Sequence, residues 1–208
     1  MVDARFQKLS LVSLVALCAL ALPACATLKR AAAPPPRIPT IVVPTSVTRT
    51  PVMADRPLPE ACELIVPTEQ IAQALAQELP KPTEIIGIPE PSIARTGKID
   101  CYYGIPANRP LADATLVIGI STYADELSAR QRVTESVEAE RQGGATVAEI
   151  DVAKQKGTLV TTTPERLLIG SLGKSTFVVR AKTGLLPDDK LPAVLAGFAV
   201  QSMTQQIS

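Results

Sequence analysis

Residues 170–176, Gly-Ser-Leu-Gly-Lys-Ser-Thr, hold two arrangements of side chains that could do chemistry. The first is a phosphate-binding loop. That chemistry needs Gly, four residues, then Gly-Lys-Ser/Thr, so that successive backbone N–H groups wrap the phosphates at a helix N-terminus. Counting back from Gly173 puts Leu168 where the first glycine must stand, and Lys174 leads into Ser-Thr-Phe-Val-Val-Arg-Ala, which reads as a strand. The second is a serine made nucleophilic by a lysine, Ser171 and Lys174, with Lys182-Thr183-Gly184 close behind. That pair works one turn apart on a helix and with a Ser-x-Asn element, whereas the only asparagine here is Asn108, after Pro106-Ala107. Both arrangements fail on spacing. The stretch predicts a β-hairpin turning at Leu172-Gly173-Lys174, where Gly173 supplies a positive φ.

Acid–base chemistry is poorly supplied elsewhere. The 208-residue chain has no histidine, so it lacks the commonest general base near neutral pH and the commonest transition-metal ligand. Glu135, Glu138 and Glu140 lie close together, but on a helix only Glu135 and Glu138 share a face, as a solvated charged surface does. A carboxylate-dependent hydrolase is therefore an alternative, and the chain is read as a non-enzyme with no cofactor, no metal and no catalytic residues. Its formal net charge of +1 exerts no pull toward nucleic acid.

Four cysteines remain, Cys18, Cys25, Cys62 and Cys101. Arg5 and Lys8 precede an uncharged apolar run, Leu9 to Leu22, of signal-peptide length; Pro23 ends it before it could span a bilayer. Leu22-Pro23-Ala24-Cys25 then offers an aliphatic residue three before the cysteine and a small one just before it. This predicts cleavage after residue 24 and acylation of Cys25, which would hold the protein on the extracytoplasmic face of the cell membrane through thioether-linked and amide-linked lipid (palmitate among the usual chains). Ordinary cleavage after Ala26, or an uncut anchor, are the competing readings. With Cys18 lost in the signal peptide, Cys62 and Cys101 most simply form one disulfide in an oxidising compartment. Two buried thiols are the alternative; a zinc site would be under-coordinated.

The elements that must position these residues follow from periodicity. Residues 25–60 are dense in Pro, Ala and Thr and read as a semi-rigid tether, with the folded domain expected over 61–208. A helix should start at Thr68 as N-cap and bury Ile71, Leu75 and Leu79. Ile99, Cys101, Tyr103 and Ile105 alternate as a strand, and Leu116, Ile118 and Ile120 as another. A charged helix runs from Asp125 to Arg141 with Leu127, Val133 and Val137 as its apolar line, stopping at Gly143-Gly144. Strands follow at about 157–162, 165–171 and 174–182. A last helix behind Pro187-Asp188-Asp189 carries Leu191, Leu195, Phe198, Val200 and Met203. The expected fold is α+β, an antiparallel sheet of about five strands with three helices packed on it, in the order α-β-β-α-β-β-β-α.

Ala61-Cys62-Glu63-Leu64-Ile65, then Pro67-Thr68-Glu69 and a helix, resembles the start of a family of actinobacterial, mycobacterial-type exported lipoproteins defined by a domain of unknown function. Cys101-Tyr102-Tyr103 resembles its second cysteine, and Ser121-Thr122-Tyr123-Ala124-Asp125 its strand-to-helix junction. The likeness spans about residues 60–141, and departs at Glu60-Ala61, where such proteins often have Asp-Pro. It implies a cell-envelope location and a cysteine pair, and carries over no catalytic residue. The expectation is a membrane-anchored envelope lipoprotein that binds or senses an unknown ligand or protein, its partners being the membrane through Cys25 and that ligand. A structural or accessory subunit of an envelope complex is the alternative.

Overall fold

The computed structural model describes residues 52–205. Their elements are α1 (Thr68–Leu75), β1 (Thr83–Gly87), β2 (Arg95–Tyr103), β3 (Leu116–Tyr123), α2 (Glu126–Gln142), β4 (Thr146–Val152), β5 (Gln155–Thr161), β6 (Glu165–Leu172), β7 (Ser175–Lys182) and α3 (Leu191–Ser202). The strands form one antiparallel sheet of seven in the order β1-β2-β3-β7-β6-β5-β4. It consists of two meanders, β1-β2-β3 and β4-β5-β6-β7, zipped together where β3 meets β7.

This corrects the expected fold class. There are seven strands, not five, and the element order is α-β-β-β-α-β-β-β-β-α. The two strands that the sequence hides, β1 and β4, are the two edges of the sheet. Their side chains are mostly exposed or half-buried, so selection for an apolar face is weak and the period-two signal fades.

The topology dictates what α2 must do. It carries the chain from β3, in the middle, to β4, at the far edge, over three intervening strands. Four strand spacings are about 19 Å, and 17 helical residues reach about 25 Å. One helix therefore spans the gap, lying across one face of the sheet.

The opposite face is the core. Ile99, Cys101 and Tyr103 of β2, Leu116, Ile118 and Ile120 of β3, and Phe177, Val179 and Ala181 of β7 point there and are almost wholly buried. Leu191, Leu195 and Phe198 of α3 and Ile71 and Leu75 of α1 pack against them. Each such aliphatic or Phe side chain contributes about 1.5–3 kcal/mol by leaving water. Gly170 of β6 stands opposite Phe177, and the ring lies over it, so that a Cβ at 170 would come 2.9 Å from Cε1 and 3.0 Å from Cε2. Glycine is the residue that leaves room for the end of the Phe177 ring.

Local details differ from the sequence reading: β2 ends at Tyr103, short of Ile105, and α3 at Ser202, short of Met203. Helix α1 ends at Leu75, where Ala76 turns left-handed (φ 53), so Leu79 lies beyond it. Its N-cap is Pro67, and the Glu63 carboxylate accepts the Thr68 N–H and hydroxyl in place of a capping side chain. In α2, Leu127 is 68% exposed and the residue buried beneath the helix is Ala129. The hairpin at 172–175 is formed as expected: Gly173 has φ 57, and Leu172 pairs with Ser175.

Packing begins upstream of residue 61. Met53 bridges to Thr204, and the Arg56 guanidinium donates to the carbonyls of Ser202 (3.2 Å), Thr204 (3.1 Å) and Leu64 (3.4 Å). Three carbonyls at helix and turn ends are thus satisfied by one cation, which burial holds below the usual guanidinium pKa. Asp55 accepts the Lys174 N–H (3.0 Å) and the Ser175 hydroxyl (2.8 Å), tying the same segment to the β6–β7 turn.

Candidate functional site: a cleft between one helix and the sheet

The face under α2 differs in kind from the core face. Register places Lys98, Asp100 and Tyr102 of β2 beside Ser121, Gly119 and Val117 of β3, and these beside Thr176, Val178 and Arg180 of β7. Polar side chains therefore stand on three adjacent central strands, where a helix-covered sheet is ordinarily aliphatic. Helix α2 answers in kind. Ser136 and Glu140, half-buried, and Arg132, exposed on the helix flank, border this face from α2, and together these groups bound a cavity of about 340 Å³. That volume falls in the lower part of the range of small-molecule sites.

The floor of the cleft is set by Gly119. A Cβ there would collide with Oδ1 of Asp100, its cross-strand neighbour, and would also lie 3.5 Å from Cγ. Without one, the carboxylate leans over β3, buried to 9% exposure, and meets Lys98 Nζ at 2.6 Å. The Tyr102 hydroxyl lies 3.5 Å from Asp100 Oδ2. Burial, with the Asp100 charge, pushes its pKa up, so Tyr102 stays a neutral donor. Toward β6 the lining turns apolar through Leu167 and Ile169, whereas β7 sets Val178 between Thr176 and Arg180.

The charges on the wall are held, but weakly. Arg95 meets Glu90 at 2.6 Å, Arg180 meets Glu165 at 3.5 Å and Arg132 meets Glu135 at 3.8 Å. These carboxylates sit on the rim, 28–48% exposed, where such pairs contribute about 0–1 kcal/mol. The Nε atom of Arg95 is buried without a hydrogen-bond partner, and that of Arg180 has only the 3.5 Å ion pair with Glu165.

Of the residues singled out in the sequence, Cys25 lies outside the described residues. Cys62 and Cys101 form a disulfide, with Cα atoms 5.7 Å apart, joining the turn before α1 to β2. It lies on the core face, away from the cleft. Ser171 and Lys174 sit on the β6–β7 hairpin. Glu135 and Glu138 are exposed and engaged by Gln131 and Arg141, respectively, whereas Glu140 lines the cleft. Among the described residues, no three His, Cys, Asp or Glu side chains gather as a metal site, and no helix is long and apolar enough to cross a membrane.

Sequence reasoning missed the cleft. Its signal is the run of polar side chains on alternate positions of β2, β3 and β7, which becomes a wall only once the register aligns them.

No family model matches the chain, and no curated protein does. A solved structure to which it is similar is the extracellular domain of PknH from Mycobacterium tuberculosis, at 9% identity and a TM-score of 0.41, covering 71% of this chain and 97% of that one. At that identity and TM-score the likeness assigns neither function nor ligand.

Proposed function

We propose that this protein is an acylated, membrane-anchored lipoprotein of the cell envelope whose extracytoplasmic domain is a non-catalytic binding module, with its ligand site under α2. The observation that carries the reading is the contrast between the two faces of one sheet. One is sealed by α1 and α3 over apolar side chains; the other is bridged by α2 over an open cavity lined by charged and apolar side chains together. A helix that only had to cover the sheet would bring leucines along its length, whereas α2 buries only Ala129 and turns Ser136 and Glu140 to the cleft. The disulfide supports export, since such bonds persist in oxidising compartments. The signal segment and Cys25 support the anchor.

The site is tested by Ser136→Trp, which fills the cleft from the helix side. Native mass spectrometry of the protein purified from its own envelope should show a bound small molecule that the variant lacks. An identical mass profile for both proteins would refute the site. The anchor is tested by Cys25→Ser, which should remove the protein from the membrane fraction; normal processing with unchanged fractionation would refute acylation.

A further inference from the structure

We infer that the cleft takes a small anionic amphiphile, with its oxyanion head at the Arg95–Lys98–Arg132 end and its apolar part against β6 and β7; this rests on the cleft being the ligand site. Four cations, Arg95, Lys98, Arg132 and Arg180, line the cleft against two carboxylates, Asp100 and Glu140. Their distribution is uneven. Lys98 shares a row with Ser121, and Arg95 pairs with Tyr123, one row further toward the same end of the sheet. Arg132 also borders a smaller depression with Ile93 and Ala94, next in chain to Arg95, which sets it at this end too. Three cations thus converge at one end.

The donors there have room for an acceptor. Arg95 Nε is buried without a partner, an unfavourable state unless an acceptor fills it. Its terminal nitrogen is held by Glu90, and Arg132 by Glu135, both from the solvent side. An oxyanion inside the cleft would meet the same guanidinium groups in a drier setting, where charge-assisted bonds are stronger. Asp100 opposes this, but its charge is already matched by Lys98 at 2.6 Å. Away from that end Val117, Leu167, Ile169 and Val178 supply hydrocarbon, and Arg180, in the row of Val117 and Leu167, is engaged by Glu165 at 3.5 Å. A bare anion would leave that surface wet, and a neutral amphiphile would leave the Arg95 donor unmet. The cavity of about 340 Å³ holds a head and one short chain.

Isothermal titration calorimetry of the protein tests this with octyl phosphate and octanoate, both below micelle formation, against octyl glucoside, octyltrimethylammonium and inorganic phosphate. The two anionic amphiphiles should bind at least about tenfold more tightly than the other three. Arg132→Gln, at an exposed helix position, should weaken them about tenfold, and Ser136→Trp should abolish their binding. If a neutral or cationic amphiphile binds as tightly and Ser136→Trp removes it, the ligand class is wrong while the site stands. If Ser136→Trp removes no binding of any probe, the site itself fails, and the ligand class with it. Inorganic phosphate binding as tightly as octyl phosphate would overturn the amphiphile and leave only an anion.

Discussion

The same substitution should have opposite signs at two glycines of this domain. Replacing glycine by alanine in an element removes unfolded-chain freedom and is worth about 0.5–1 kcal/mol where the new methyl fits. At Gly197, exposed in the middle of α3, nothing lies within 4 Å of the added Cβ. Gly197→Ala should therefore stabilise the protein by about 1 kcal/mol, raising Tm by about 2–4 °C at this size. At Gly170 the methyl meets the Phe177 ring, which is wholly buried and cannot retreat. Overpacking of this kind costs about 1–3 kcal/mol, which outweighs the entropic gain, so Gly170→Ala should lose about 1–2 kcal/mol. Thermal and urea unfolding followed by circular dichroism reads both. Adding Phe177→Leu to Gly170→Ala should recover part of the loss, giving a coupling energy of the opposite sign to the overpacking. If Gly170→Ala is as stable as the parent, or if the two substitutions act additively, the ring does not sit on that glycine.

Reduction of the Cys62–Cys101 bond, which closes a separation of 39 residues, should lower stability by about 4 kcal/mol from loop-closure entropy; urea curves with and without reductant that agree within about 1 kcal/mol would refute this. Tyr103 is wholly buried with a hydroxyl that bonds nothing, and burial beside Glu63 and Glu84 pushes its pKa up. Tyr103→Phe should thus leave stability unchanged or raise it by about 1 kcal/mol, and a clear loss would reveal a hidden partner. The Asp125 side chain caps α2 by accepting the Ser128 N–H at 2.8 Å, and that bond lowers its pKa. A carboxylate depressed on folding stabilises above its unfolded pKa, about 3.9, and the contribution fades as pH falls through the lower folded value. Asp125→Ala should therefore weaken the protein at neutral pH and converge with the parent in acid, below the depressed folded pKa, as chemical unfolding across pH would show.

Most of the central fold is legible because central strands bury one face. Ile99, Cys101 and Tyr103, or Leu116, Ile118 and Ile120, alternate because every second side chain meets α3 or α1. Edge strands lack that pressure: Ile85 and Ile86 of β1 are 40% and 61% exposed, and β4 buries only Val152. The cleft is less legible still. Lys98, Asp100 and Tyr102 look like an ordinary solvated strand face until β3, β7 and α2 are laid beside them. Gly119 carries no periodic signal at all, since its role is to leave space for a side chain 19 residues earlier in sequence. The disulfide was readable from cysteine number and compartment because that inference needs no geometry.

The cross-link also determines how the domain answers to tension. A pull on the chain at residue 52 first loads the Met53–Thr204 bridge and the Asp55 and Arg56 contacts. Should these yield, the force reaches Cys62 and passes through sulfur to Cys101, in a strand paired on both sides. The chain between the two cysteines, which includes α1 and β1, is shunted out of the load path. About 130 Å of extended polypeptide is thereby kept slack, so a force applied from the N-terminal side is borne by β2, paired on both sides, and not by the edge strand β1.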